Sequence, residues 1–168
     1  MMKQLSLDEA QKYCVFENNE NWFGLPSFQI RGVIPRPPIT PLPHSDPVVV
    51  GVCHVQNEFF PVISLRSLLD VQYENQTRAE QQMMIMSTDN SSWGLLIDRA
   101  VALAHLEVSI STLADREDTW CTVVTGSASY SNQVLQVLDP VAVYQYAVKL
   151  LGRYWSDAAR FEVEAGLC

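Results

Sequence analysis

The stretch from residue 51 to residue 65, "GVCHVQNEFFPVISL", consists of two apolar runs separated by the polar triplet Gln56-Asn57-Glu58. β-branched and aromatic residues favour extended strands, and a short polar cluster between two such runs is typical of a tight turn. The stretch therefore predicts a β-hairpin whose apolar parts belong to a core.

The same pattern recurs along the chain. The polar clusters "ENNEN", "TDNSS" and "SYSN" precede Trp22, Trp93 and Gln133, and the apolar runs around them are again rich in β-branched and aromatic residues. About eight short strands joined by tight turns predict an all-β protein built as an antiparallel sandwich or a pair of barrels.

One long helix is predicted near the C-terminus. Asp139 is a favourable N-cap and Pro140 suits the first helical position. Apolar residues follow at helical spacing, namely Val141, Tyr144, Ala147, Val148 and Leu151. Short helical turns are predicted within residues 5–13 and 64–70. The pattern leaves open whether the helix continues or ends beyond Gly152.

The segment "IPRPPITPLPHSDP", residues 34–47, contains six of the nine prolines. Proline fixes φ and lacks a backbone donor, so this segment is expected to run outside the sheets as a stiff connector. A polyproline ligand for an SH3-like partner is the alternative interpretation.

Composition restricts the function classes. With 168 residues, 48% of them hydrophobic and 18% charged, the chain is expected to form one folded domain without a membrane span or secretory signal. Four widely spaced cysteines are expected to be reduced thiols in the cytoplasm. The net charge of −8 argues against nucleic acid as a partner.

Residues suited to catalysis are not grouped in the sequence. Cys53 and His54 are neighbours on a predicted strand, so they point to opposite faces and cannot form a dyad directly. The isolated histidines lack metal-ligand spacing, and the dispersed glycines form no phosphate loop. Asp98-Arg99 is expected to mark the bend between two strands. The sequence therefore predicts no catalytic, cofactor-binding or metal-binding residue; a small β-barrel enzyme with Cys53 or Cys121 as nucleophile is the alternative.

Four segments together resemble one protein family. They are "YCVFENNENWFGLPSFQIRGVI", "PLPHSDPVVVGVCHVQNEFFPVISLRSLL", "WGLLIDRAV" and "GSASYSNQVLQVLDPVAV". Their motifs, order and spacing resemble those of the CheW family of chemotaxis coupling proteins. This family includes divergent members of type IV pilus chemosensory systems (ChpC-like). The likeness extends from Tyr13 to Val143.

The resemblance implies an all-β fold of two small five-stranded antiparallel SH3-like barrels that share a hydrophobic seam, followed by a C-terminal helix. It implies one CheW-like domain of two intertwined barrels over residues 13–143, with a helical extension over 144–168. It also implies a cytoplasmic, non-enzymatic adaptor with two partners: the helical hairpin at the cytoplasmic tip of a chemoreceptor, and the regulatory domain of a CheA-type histidine kinase. Recruitment to membrane receptor arrays would then occur through these partners, without direct membrane insertion.

Motif position also implies a binding site. Ile30, Val33 and Val55 are expected to line an apolar groove for a receptor helix, with Gln56 and Asn57 as polar contacts at its rim.

This sequence departs from the family pattern at three polar positions. Gln56 stands where arginine is usual, Ser64 where aspartate is usual, and Gly32 where glutamate is common. The changes at Gln56 and Ser64 are consistent with a compensated pair or with a surface retargeted to another protein partner, and the sequence leaves both readings open.

Overall fold

A computed structural model of the chain describes residues 12–43, 48–69, 81–88, 91–110 and 120–164. The strands are β1 (Lys12–Asn18), β2 (Asn21–Pro26), β3 (Ile30–Pro35), β4 (Val49–Val55), β5 (Glu58–Ser64), β6 (Gln82–Thr88), β7 (Ser91–Ile97), β8 (Arg99–His105), β9 (Ser109–Ile110), β10 (Val124–Tyr130) and β11 (Gln133–Leu138). The helices are α1 (Leu65–Leu68) and α2 (Pro140–Glu164), and short 3-10 turns span Ser27–Gln29 and Trp120–Thr122.

The strands form two sheets. The first sheet has six strands in the order β8-β1-β2-β11-β10-β9, and the second has five in the order β3-β6-β7-β5-β4. In chain order, β1 and β2 belong to the first sheet, β3 to β7 to the second, and β8 to β11 to the first again. The predicted all-β fold with a C-terminal helix is confirmed.

Two details of the sheets differ from the prediction. The two-residue strand β9 pairs with β10 and gives the first sheet a sixth strand; it is too short to produce a recognisable alternation in the sequence. In addition, β11 pairs with β2 and β5 pairs with β7 in parallel, whereas the prediction was antiparallel throughout. Both parallel pairs join strands that are distant in sequence, which local turn signals cannot reveal.

Three hairpin turns have two residues each, and in every case both residues have positive φ between 49° and 63°. Positive φ at both central positions is the requirement of a type I′ turn, which matches the twist of the flanking strands. The turns are Asn19-Glu20, Gln56-Asn57 and Ser131-Asn132. All three fall in the polar clusters that predicted them, and the cluster before Trp93 lies partly outside the described residues.

A single hydrophobic core joins the two sheets and α2, and we call it the shared core. Phe16 and Phe23 come from the first sheet, Trp93 from the second, and Val143 and Ala147 from α2, and each is at most 2% exposed. Each sheet also packs a smaller core of its own. The predicted hydrophobic seam between the two halves is this shared core.

Helix α2 begins where the sequence predicted. The Asp139 carboxylate accepts a hydrogen bond of 3.0 Å from the Val141 backbone N–H, which satisfies one of the free donors of the first turn. The backbone stays helical to Glu164, so the question left open beyond Gly152 is answered. The domain boundary predicted at residue 143 stays a prediction.

The buried face of α2 agrees with the predicted one only in part. Ala147 is buried as predicted, and Val143 is buried as well, whereas Val141 and Val148 are 41% and 51% exposed. Tyr144 packs its ring against Trp93 with centroids 5.6 Å apart, and this contact with the shared core fixes which side of the helix is covered.

The shorter predicted helical turns have different outcomes. The turn predicted within 64–70 is α1, where the Ser64 hydroxyl accepts a 3.4 Å hydrogen bond from the Ser67 N–H. The turn predicted within 5–13 lies outside the described residues, except that Lys12 and Tyr13 already belong to β1.

The proline-rich connector runs mainly outside the sheets. Pro35 is the last residue of edge strand β3, and Thr40 forms two backbone hydrogen bonds of 2.9 Å with Val52. A Cβ at Gly51 would lie 2.1 Å from the Thr40 carbonyl oxygen, so glycine is required where the connector crosses β4. Residues 44–47, including His44, lie outside the described residues.

The bend predicted at Asp98 carries a polar cluster that joins three parts of the chain. Its carboxylate accepts hydrogen bonds from the Asn19 N–H at 2.7 Å and from Arg66 Nε and Nη2 at 3.1 and 2.5 Å. The cluster links the β1–β2 turn, α1 and the β7–β8 bend. Arg99 does not pair with its neighbour Asp98; it pairs with Glu17 at 3.0 Å. The structural role expected of Asp98 agrees with this geometry.

We expect Asp98→Ala to lower the free energy of unfolding by about 3 kcal/mol. The change removes the acceptor of three hydrogen bonds, and the side chains of Asp98 and Arg66 are only about 15% exposed. Glu17→Ala, which breaks the exposed pair with Arg99, serves as the control and should lower it by less than about 1 kcal/mol. Urea unfolding of both variants measures the difference, and equal losses would contradict the assignment.

Candidate functional site

A groove lies between the two sheets, where the edge strand β3 of the second sheet faces the edge strand β8 of the first. It encloses a cavity of about 440 Å³. Its lining residues are Cys14, Ser27, Ile30, Arg31, Gly32, Val33, Ala100, Val101, Ala102 and Leu103. Among the described strands, β3 pairs with β6 alone and β8 pairs with β1 alone. We call this site the interbarrel groove.

The groove is apolar. Its β3 wall carries Ile30 and Val33, and its β8 wall consists of the four residues from Ala100 to Leu103. Leu103 is 69% exposed, so it projects an aliphatic side chain to the open side. A concave surface of this kind accepts the apolar face of a helix or another extended apolar group.

Among the described residues that line the groove, Arg31 alone carries a charge. The register of β3 against β6 shifts at this residue, which marks a β-bulge. Arg31 Nη1 donates to Glu58 Oε2 at 2.6 Å and to Ser92 Oγ at 2.9 Å. The guanidinium is therefore engaged at the rim by a carboxylate and a hydroxyl of the same sheet, and the groove presents little net charge.

The structure brings together two of the five predicted binding residues. Ile30 and Val33 both line the groove and pack against the shared core. Val55 lies at the end of β4, partly buried against the smaller core of the second sheet, and is not part of the groove lining. Gln56 and Asn57 form the exposed β4–β5 turn.

The β4–β5 turn is nevertheless connected to the groove. Glu58 follows the turn directly and is the ion-pair partner of groove residue Arg31. This pair connects the hairpin to a lining residue of the groove, and the role of Gln56 and Asn57 as rim contacts stays a prediction.

The β8 wall was not among the predicted site residues. Alternation in "AVALAHLEV" predicts that one side of this strand is apolar. It does not reveal that the edge of β8 faces β3 across a groove, because that contact joins two different sheets.

The three departures from the family pattern occupy different environments. Ser64 is 8% exposed and caps α1, so its side chain has a local structural role. Gln56 precedes β5 and Ser64 is its last residue, so the two lie roughly 20 Å apart along the strand at about 3.3 Å per residue. The interpretation of these two changes as a compensated pair in contact is therefore wrong. Gly32 lies in the groove itself.

Two of the cysteine thiols are buried, and Cys53 among them is a candidate nucleophile. Cys53 is 1% exposed while His54 is exposed and stacks on Phe59 with ring centroids 4.3 Å apart, so the two neighbours do point to opposite faces. Burial raises the pKa of the Cys14 thiol to about 11 and also raises the pKa of Cys53. Cys121 is partly exposed.

The described part of the chain also lacks two other features. No cluster of three or more His, Cys, Asp or Glu side chains there could hold a metal ion. None of the helices in that part is long and apolar enough to cross a membrane.

Comparison with known proteins agrees with this architecture. The chain is 23% identical to "Chemotaxis protein CheW" of Thermotoga maritima over 124 residues, which cover 74% of this chain and 81% of the relative. The crystal structure of the scaffolding protein TtCheW from Thermoanaerobacter tengcongensis superposes with a TM-score of 0.67 at 17% identity, covering 77% of this chain and 89% of that one. This likeness in fold confirms the predicted pair of SH3-like barrels.

The family model for the CheW-like domain matches residues 12–148. This range includes both sheets, both walls of the interbarrel groove and the first turns of α2. The chain therefore belongs to the family of CheW-like domain proteins.

Proposed function

We propose that the chain is a non-enzymatic adaptor that couples the cytoplasmic helical hairpin of a chemoreceptor to the regulatory domain of a CheA-type histidine kinase. The observation that carries the proposal is the interbarrel groove, an apolar concave site between two edge strands of a CheW-like fold. The names of the relatives, a chemotaxis protein and a scaffolding protein, point in the same direction.

On the receptor side, the groove offers two apolar walls to one helix. Ile30 and Val33 form one wall and Leu103 the outer part of the other. A helix that presents apolar side chains at helical spacing could bury them against both walls. Gln56 and Asn57 would then contact polar residues of the same partner from the rim, because the Arg31–Glu58 pair holds their turn nearby.

On the kinase side, a second surface is needed, since an adaptor must hold both partners at once. The β4–β5 hairpin provides one outside the groove lining. Phe59 is 75% exposed, and its ring stacks on that of His54. An exposed aromatic pair beside a polar turn has the composition of a protein interface, with an apolar centre and a polar edge.

The adaptor would act in the cytoplasm and reach membrane receptor arrays through these partners. Flagellar and type IV pilus pathways both suit this role. A CheW-like fold retargeted to a different protein is the alternative that the change at Gln56 favours, because glutamine keeps a donor but lacks the charge of the usual arginine.

Leu103→Glu tests the groove without disturbing the core, because this side chain is 69% exposed. We expect it to weaken binding to fragments of the host's chemoreceptor hairpins by at least about tenfold, since a carboxylate set against an apolar helix face loses its hydration without gaining a partner. Val134→Glu, at a 75% exposed position outside the groove lining, is the matched control and should bind like the native chain.

Val55→Glu belongs in the same series. If Val55 belongs to the site predicted from the sequence, this variant should abolish receptor association. Unchanged binding would remove Val55 from the site. Calorimetry measures affinity, and thermal unfolding checks that each variant is folded. Equal binding by Leu103→Glu and Val134→Glu would exclude the groove as the receptor site.

Gln56 lies in the turn between the groove rim and the exposed Phe59, so Gln56→Arg also tests the kinase contact. We expect the native chain to bind the regulatory domain of a CheA kinase from its own host, and the variant to bind several-fold more tightly, because a guanidinium donates charge-assisted hydrogen bonds. Calorimetry with each such kinase measures both. Binding by the variant alone would indicate a retargeted surface, and binding by neither would count against the kinase as partner.

Thiol reactivity tests the enzyme alternative. In the native state we expect Cys14 and Cys53 to react slowly with a maleimide, because their raised pKa values leave less thiolate at neutral pH, and Cys121 to react faster because it is partly exposed. Reaction at Cys14 and Cys53 should accelerate as the pH rises towards their pKa values. Peptide mapping by mass spectrometry assigns each modified cysteine. Rapid modification of Cys53 at neutral pH would favour the alternative of an enzyme with Cys53 as its nucleophile.

A further inference from the structure

Strand β4 is protected differently from the other edge strands. Among the described strands, β8 and β9 end the first sheet, and β3 and β4 end the second. An edge strand presents unpaired N–H and C=O groups to other chains, and charges, prolines, bulges or short length usually protect it. β9 has two residues, β8 begins with Arg99, and β3 has a bulge at Arg31 and ends with Pro35. β4 has seven residues, contains no proline, Asp, Glu, Lys or Arg, and is regular from Gly51 onwards.

The β4–β5 hairpin determines which groups of β4 face the open edge. The residues on either side of its two-residue turn form a hydrogen-bonded pair, and hydrogen-bonded and non-hydrogen-bonded pairs then alternate along the two strands. Val52 and His54 therefore belong to non-hydrogen-bonded pairs, whose other members are Pro61 and Phe59. Their backbone N–H and C=O groups point away from β5, towards the edge of the sheet.

The proline-rich connector covers this edge at one residue. The Thr40 N–H donates to the Val52 carbonyl oxygen, and the Val52 N–H donates to the Thr40 carbonyl oxygen, both at 2.9 Å. Ile39 packs against the smaller core of the second sheet, and the Arg36 N–H donates to the Gln81 carbonyl oxygen at 3.1 Å. The connector is thus held against β4 by backbone bonds and by burial of one side chain.

Proline prevents the connector from pairing further along β4. If the antiparallel pairing of Thr40 with Val52 continued, Pro38 would face His54, and proline has no N–H to donate. No hydrogen bond joins the connector to His54 in the part of the chain that the structure describes. The connector therefore satisfies Val52 and leaves the edge groups of His54 unpaired.

We propose that the edge of β4 is a self-association surface that the connector keeps covered, and that the occupant it excludes is β4 of a second copy of this chain. An antiparallel second β4 would bond to both Val52 and His54, whereas the connector bonds to Val52 alone. The uncharged sequence "VVGVCHV" is rich in β-branched residues, which favours strand pairing. The net charge of −8 opposes association in general, but none of that charge lies on β4. This inference does not depend on the proposed function.

Gly51→Ala displaces the connector, because a Cβ at this position would collide with the carbonyl oxygen of Thr40. We expect the variant to form dimers at a concentration about tenfold or more below any at which the native chain does, since the uncovered edge exposes unpaired backbone groups. Sedimentation velocity over a series of concentrations measures this difference. Gly32→Ala is the matched control. It adds the same methyl group to β3, the other edge strand of this sheet, with nothing within 4 Å, and should behave like the native chain.

Thr40→Pro tests the same contact without changing β4. It removes the donor of one of the two bonds, so it should also promote dimers, whereas Thr40→Val keeps both backbone groups and should not. Thermal unfolding checks that each variant is folded.

A second substitution identifies the surface that associates. His54→Pro removes an N–H that β5 does not use, and proline is tolerated on an edge strand. Adding it to Gly51→Ala should restore the monomer. In Gly51→Ala itself, hydrogen exchange at the His54 N–H should slow as the concentration rises. Association that persists in the double variant would overturn the inference. The inference would also be overturned if folded Gly51→Ala and Thr40→Pro associate no more than the native chain.

Discussion

The interbarrel groove depends on the shared core. The groove exists because β3 and β8, which belong to different sheets, are held at a fixed separation, and the packing of the two sheets on each other sets that separation. Phe16, Phe23 and Trp93 bury their rings in this core, and burial of a large apolar side chain contributes about 1.5–3 kcal/mol. Since the chain leaves the first sheet after β2 and returns to it at β8, two chain crossings also connect the sheets.

The Asp98 cluster reinforces the same junction with directed bonds. A core of side chains fixes the distance between sheets but tolerates small rotations, whereas hydrogen bonds restrict direction. Asp98 binds the β1–β2 turn and α1 at once, and it lies directly before β8. The strand that forms one wall of the groove thus begins at an anchored residue. The shape of the groove therefore depends on the shared core and on the Asp98 cluster, and the lining residues Ile30 and Val33 pack against that core.

Local features of the fold could be predicted from the sequence. Polar pairs such as Gln56-Asn57 predicted the hairpin turns. The positive φ values of a type I′ turn are favourable for few residues, asparagine among them. Asp139 predicted the start of α2, because an N-cap residue accepts a hydrogen bond from the first turn of its own helix. The apolar strands followed from composition and alternation.

Contacts between distant segments could not be predicted in this way. The exposure of Val141 and Val148 depends on how α2 meets Trp93, which no helical periodicity specifies. Val55 was grouped with Ile30 by motif position, yet the second sheet turns it towards a different core. The β8 wall was missed because its role arises only when two sheet edges meet.

Under the proposed function, the departures from the family pattern change how a partner is recognised. The family commonly has glutamate where this chain has Gly32 and arginine where it has Gln56, so two opposite charges are absent from the groove and the adjoining turn. Charge complementarity contributes to specificity and to the rate of encounter, whereas a shaped apolar cavity discriminates by contact and acts mainly on dissociation. The chain retains a net charge of −8, but the groove is nearly neutral. Recognition at the groove would then depend on apolar contact more than on charge.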